Sequence, residues 1–267
     1  MSADSAPHIV CVHQEMKKYT TVIFDLFDTI VDFNFSRLPT LDMKGVRSRT
    51  TSHEVYSVFA GYYPAISFAE FYPYFIESYR QFQEMKHVEW REYPNRDRFK
   101  LMLRNMDIPD DPNAEAAADE MVRAHMEGLA SAVEFPEENE KALDEVSRKG
   151  YRMAIISNFD YAPTAYSLIE KFRIGRFFEK IIISEEVGWR KPKPIIFRRA
   201  MELMSIKPEE AVFVGDNFRA DICGAKGVGM DAVWLNNKKE DAENLYPEPD
   251  YIIPAFPDIS AILPAIK

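Results

Sequence analysis

Three polar clusters follow directly on runs of apolar residues: Asp25-Leu26-Phe27-Asp28-Thr29, Ser157-Asn158-Phe159-Asp160 and Gly215-Asp216-Asn217-Phe218-Arg219-Ala220-Asp221. A carboxylate in such a position serves as a nucleophile, as a general acid or base, or as an oxygen ligand for a hard divalent cation. Asp25, Asp216 and Asp221 gathered in one place would crowd negative charge, and Mg²⁺ is the usual remedy. A fourth segment, Gly188-Trp189-Arg190-Lys191-Pro192-Lys193-Pro194, concentrates cations in a loop ahead of a helical pattern. It offers a positive counterpart to a phosphate or to the nucleophile. Singly, each cluster has an ordinary explanation: Asp216 as a helix N-cap, Ser157-Asn158 as a turn, Lys191 as a solvated cation. Only the set points to chemistry.

Delivering the set to one place requires particular elements. The run 20–24 ahead of Asp25 is β-branched and aromatic, and the same texture returns at 152–157, 180–184, 211–215, 231–235 and 251–253. Uninterrupted apolar runs of this length fit strands buried on both faces, as in a parallel sheet. Amphipathic segments at 137–149, 162–172, 194–204, 219–227 and 259–266 alternate with them. The pattern predicts an α/β fold with a Rossmann-like, doubly wound parallel sheet. Ligands of such sheets bind outside the carboxyl ends of the strands, where the three clusters would meet.

Residues 34–133 read differently. A turn signal at Lys44-Gly45 between two short extended runs predicts a hairpin, followed by helices over 52–63, 67–91, 95–106 and 113–133. Pro73 falls inside the second pattern, which predicts a later start or a kink there. The expected organisation is a core of 17–33 and 134–267, a helical domain at 34–133 inserted after the first strand, and a loose tail at 1–16.

Composition narrows the function classes. Thirty-three Lys and Arg against 43 Asp and Glu give a net charge of −10. That balance opposes sequence-independent binding to nucleic acid or to an anionic membrane. No apolar stretch is long enough to cross a bilayer. Cys11 and Cys223 alone support neither a disulfide framework nor a multi-cysteine zinc site. The opening residues lack the basic start and apolar run of a secretory signal, so a cytoplasmic protein acting on a small molecule is the expectation, its oligomeric state left open.

The four ordered motifs (FDLFDT, SN, the Lys-Pro of GWRKPKPIIF, and VGDNFRAD) resemble those of the haloacid dehalogenase superfamily, most of whose members are phosphatases. The resemblance covers about 19–33 and 136–267, and the inserted helices look like that superfamily's helical cap. It implies Asp25 as the nucleophile that forms a covalent aspartyl intermediate. Ser157 would hydrogen-bond the transferring group, and Lys191 would neutralise charge. Thr29 and Asn158 would join Ser157 and Lys191 at the substrate. Asp25, Asp216, Asp221 and the backbone carbonyl of Phe27 would hold Mg²⁺.

One position departs from the phosphatase pattern. Phosphatases of the superfamily carry a general acid two residues after the nucleophile; here that residue is Phe27, and Asp28 stands one place further on as a substitute acid or base. The superfamily's dehalogenases also lack that acid, but they use no metal and lack the Asp that this chain has at 216. The fourth motif therefore favours a Mg²⁺-dependent hydrolase of a small phosphorylated metabolite. The rivals are a metal-independent 2-haloacid dehalogenase and a binding or regulatory protein with little catalysis. Arg37, Arg47 and Arg49 lie near the cap junction, where family dehalogenases place an arginine for a substrate anion, though most such arginines are simply solvated. None of the five histidines sits near a motif.

Overall fold

The computed structural model describes residues 10–11, 19–43, 45–242 and 245–266. In chain order, it opens with strands β1 (Val10–Cys11), β2 (Thr21–Phe24) and β3 (Asp32–Phe33), then the hairpin β4 (Thr40–Met43) and β5 (Val46–Arg49). Helices α1 (Ser52–Tyr62), α2 (Phe68–Glu89), α3 (Asn95–Asn105) and α4 (Pro112–Ser131) follow, then β6 (Val133–Glu134), α5 (Glu137–Arg148), β7 (Arg152–Ser157) and α6 (Ala162–Lys171). The remainder is β8 (Lys180–Ile183), α7 (Ser184–Val187), α8 (Pro194–Met204), β9 (Ala211–Gly215), α9 (Cys223–Lys226), β10 (Asp231–Leu235), β11 (Tyr251–Ile253) and α10 (Ile259–Ile262).

Two compact units result. The first takes the residues up to Asp32, Phe135–Asn158 and those from Ile169 onward. Its seven strands are ordered β1-β11-β10-β9-β2-β7-β8, parallel throughout except β1, which runs antiparallel to β11. The predicted α/β class and parallel sheet are what the chain adopts. β2 lies between β9 and β7, with Phe24 in register with both Val214 and Ile155. Every residue of β2 is buried, as a central strand covered on both faces must be. Helix α8 packs Ile196, Phe197 and Met204 against Ile156, Phe213 and Trp234. Each such side chain contributes about 1.5–3 kcal/mol by leaving water.

Phe33–Glu134 and Phe159–Leu168 form the second unit. Val55, Phe59, Phe71, Phe99, Met102 and Met121 make its buried centre, one apolar stripe from each of the four long helices. The hairpin forms at the predicted position, with Leu41 opposite Ser48.

Some expectations are corrected in detail. Helix α2 starts at Phe68 and carries Pro73 inside it, because a capping box of Ser67 and Glu70 fixes the start. The expected helix over 219–227 is a π turn, Phe218–Ile222, followed by α9. The last helix ends at Ile262, since Pro264 favours an extended residue before it and Leu263 has φ −108° and ψ 101°. Strand β8 stops at Ile183, with Ser184 opening a short helix. Within the expected tail, Val10–Cys11 form the edge strand β1; residues 1–9 and 12–16 lie outside the described residues.

Candidate active site

Strand order brings the motifs together. β7, β2 and β9 are neighbours and parallel, so Ser157, Asp25 and the Gly215-Asp216 turn leave the same edge of the sheet side by side. The Asp25 amide donates to the Val214 carbonyl at 2.9 Å, which carries the pairing one residue past the end of β2.

Asp25 Oδ1 accepts from Lys191 Nζ at 2.5 Å, and the same ammonium meets Asp221 Oδ1 at 2.7 Å. Lys191 is almost wholly buried, 1% exposed, so this ion triad sits outside the screening of bulk water. Its backbone is clamped by one side chain: Lys191 N donates to Asn158 Oδ1 at 2.7 Å, and Asn158 Nδ2 donates to Lys191 O at 3.0 Å. Both functions of that amide are engaged. Asn158 thus holds the Lys191 backbone in place. Thr29 Oγ1 points back to Asp25 Oδ2 at 3.5 Å and is likewise turned to the nucleophile candidate rather than outward.

The π turn aims Asp221. Asn217 caps it by accepting from Ala220 N at 2.9 Å, and Asn217 N donates to Asp221 Oδ2 at 2.9 Å. The Asp221 carboxylate then lies against Gly215; a Cβ at 215 would stand 2.3 Å from Asp221 Oδ2. Glycine is required there by space alone. Asp216 Oδ2 accepts from Lys238 Nζ at 2.8 Å, and its carbonyl accepts from the Trp234 indole at 2.9 Å. Ser157 Oγ is buried and has no hydrogen-bond partner among the described residues.

Carboxylate oxygens of Asp25, Asp216 and Asp221 all lie within 4.8 Å of one another. Burial first, then the charge of Asp25, pushes Asp216 up to about 6. Burial likewise pushes Asp221 up to about 7 against the attraction of Lys191. Burial lowers Lys191, but Asp221 and Asp25 more than offset it, and the ammonium is held above its ordinary value. The pocket is thus short of positive charge. A set of hard oxygen donors, two of them destabilised as anions, fits a small divalent cation such as Mg²⁺.

Asp28 and Phe27 are on the same loop. Asp28 adopts φ +58°, a left-handed turn conformation, and its charge reaches both Asp216 and Lys238. Phe27 is half-buried, with its backbone bridged to Val31. Asp160 is not part of this set; it belongs to the helical unit, bound by Lys86 and Asn95. Lys238 belongs to none of the motifs and is the residue they missed. Its signal was topological: it follows β10, the strand beside β9, at the same carboxyl edge.

A family model for haloacid dehalogenase-like hydrolases matches residues 19–229, and the chain belongs to that family. It is 28% identical to a glyceraldehyde 3-phosphate phosphatase of Pyrococcus furiosus, over 93% of this chain and 94% of that protein. The fold is similar to that of a 2-haloacid dehalogenase from Pseudomonas syringae pv. tomato, with a TM-score of 0.68 and 19% identity over 91% of this chain and 97% of the other. It is also similar to an HAD phosphatase from Thermococcus onnurineus, with a TM-score of 0.57 and 20% identity over 91% and 97% of the two chains. Among the described residues, no helix is long and apolar enough to cross a membrane.

Proposed function

We propose that this hydrolase is a Mg²⁺-dependent phosphatase of small phosphorylated metabolites, working through a phosphoryl group carried on Asp25. The observation that carries the reading is the carboxylate trio Asp25, Asp216 and Asp221, whose crowding and raised proton affinities call for a divalent cation. A metal-independent dehalogenase mechanism gives no reason to build Asp216 beside Asp25. The glyceraldehyde 3-phosphate phosphatase relative supports the same choice.

A carboxylate oxygen of Asp25 attacks phosphorus, the ester oxygen leaves with the bonding pair and takes a proton from solvent, and a water that gives up a proton to solvent later attacks phosphorus to release phosphate and restore Asp25. Lys191 holds the nucleophile in place and balances charge on the transferring group. The partnerless Ser157 hydroxyl is available to donate to a phosphoryl oxygen. Asp25, Asp216, Asp221 and the Phe27 carbonyl would hold Mg²⁺, which when bound offsets charge at the phosphoryl oxygens. The core motifs do not by themselves choose the ester.

Phe27 favours the second reading, a 2-haloacid dehalogenase, because it stands where the phosphatase acid is expected. The two separate cleanly. A panel of phosphomonoesters beginning with glyceraldehyde 3-phosphate, together with 2-chloropropionate, is assayed with Mg²⁺ and with EDTA. Phosphate release that needs Mg²⁺ supports the proposal; halide release that survives EDTA overturns it. With no acid at position 27, aryl and acyl phosphates should outpace sugar phosphates, and Phe27→Asp should raise alkyl ester hydrolysis by up to ~10²-fold.

A further inference from the structure

The helical unit contains a cavity of about 410 Å³ that shares no residue with the Asp25 cluster. The size falls within the range of small-molecule sites, roughly 300–1,000 Å³. Phe33, Phe75, Ile76 and Tyr79 supply much of its wall, with Arg98 and His125 among the polar groups. No lining residue is acidic, in a chain whose net charge is −10.

Arg98 is the unusual member. It is 1% exposed, and no described carboxylate pairs with it. Its guanidinium lies over the rings of Phe75, Phe99 and Tyr79, at 4.6, 5.1 and 5.3 Å from their centres. NH1 meets His125 Nε2 at 3.2 Å, NH2 donates to the Phe75 carbonyl at 3.1 Å, and Nε has no hydrogen-bond partner. The charge of Asp160 reaches Arg98, but that carboxylate is taken up by Lys86 at 2.5 Å and Asn95 at 3.0 Å. His125 adds no countercharge: burial keeps it neutral, and its Nδ1 is bonded to Thr51 Oγ1 at 2.6 Å. A buried guanidinium with aromatic neighbours and no anion of its own is costly unless an anion is supplied.

We propose that this cavity binds a small organic carboxylate with an apolar, ring-sized body, its charged end pairing with Arg98 and its body resting on Phe75, Ile76 and Tyr79. The wall also holds Arg49, whose guanidinium donates to the Leu38 carbonyl at 2.7 Å; Arg98, beside a neutral imidazole, is left to match the single charge of a carboxylate in fork geometry. The mostly apolar wall matches a ring.

The test uses the full chain and two probes: phenylacetate, and 2-phenylethanol, which keeps the ring and loses the charge. Titration calorimetry should give one saturable phenylacetate site in the wild type and at least ~10-fold weaker 2-phenylethanol binding. Arg98→Met should weaken phenylacetate by a similar factor. Because Arg98 is itself buried, Ile76→Trp provides a second arm: Ile76 is 46% exposed, so a larger side chain there fills the cavity without entering the core. It should abolish binding while leaving the thermal melt in place. No saturable phenylacetate site at millimolar concentration overturns the proposal. So does binding that is unchanged in both variants, or inorganic phosphate displacing phenylacetate. Turnover plays no part, so failure here leaves the Asp25 reading untouched.

Discussion

Both units bury charge, and they balance it differently. In the α/β unit, Asp25, Asp216 and Asp221 share Lys191 and Lys238, leaving an excess of carboxylates. In the helical unit, Lys86 joins Glu92 at 3.0 Å and Asp160 at 2.5 Å, while Arg98 lies nearby in charge but bonded to neither. The first cluster sits at strand ends, where backbone amides and loops can present many oxygen atoms to one point. The second is assembled from helices and the loops between them, and its ions are nearly matched. The difference teaches that burial alone does not mark a reactive site; the imbalance of charge and the place where it is held do.

The comparison breaks most visibly at the proposed nucleophile. Asp25→Asn removes the attacking oxygen anion and should lower phosphate release by on the order of 10⁴-fold or more, since losing a covalent nucleophile costs that scale of rate. Near-wild-type turnover in a folded variant would sink the covalent mechanism.

Next in size are two matched lysine changes. Lys191→Met strands Asp25 and Asp221, and Lys86→Met strands Glu92 and Asp160; each should destabilise the protein by about 3–5 kcal/mol, the usual result of removing one partner from a buried pair. Urea denaturation measures both. Added Mg²⁺ should restore part of the Lys191→Met loss and none of the Lys86→Met loss. Equal rescue would erase the distinction drawn between the clusters.

Gly215→Ala should cost about 1–3 kcal/mol as an overpacked site. Its Cβ would collide with the Asp221 carboxylate, so the π turn must shift and Mg²⁺ dependence should weaken with it. A normal metal titration would mean that Asp221 is not needed where it stands.

A pH effect has opposite signs in the two units. Asp216 and Asp221 hold protons up to about 6 and about 7, above the ~3.9 of an unfolded aspartate. Their contribution is full below pH ~4 and is lost as pH rises through 6 to 7. His125 is held down to about 3 against ~6.5 unfolded, so the helical unit loses stability as pH falls from ~6.5 toward 3. Each group contributes at most ~1.4 kcal/mol per pH unit. Hydrogen exchange on the metal-free chain, corrected for intrinsic rates between pH 4.5 and 7, should show the trends diverging by region. Parallel trends would remove the His125 argument.

The alternation of apolar runs and amphipathic segments was enough to specify a parallel α/β sheet, because a strand buried on both faces leaves no polar position in its sequence. Asp25, Ser157, Lys191, Asp216 and Asp221 were equally legible, since each follows the end of an apolar strand or opens the loop before a helix. Other features were invisible. Nothing local tells that Asn158 bonds both the N–H and the carbonyl of Lys191, or that residues 218–222 wind as a π turn; both depend on where a distant segment stops. Lys238 carried no motif because its partner is 22 residues away, past the end of the neighbouring strand. Arg98 looked like any helical arginine until Phe75, Phe99 and His125 closed around it. Sequence fixes which groups exist and which elements carry them, through periodicities of two and 3.6 residues. Charge balance in a buried cluster is a sum over segments far apart in the chain, so only the tertiary structure decides it.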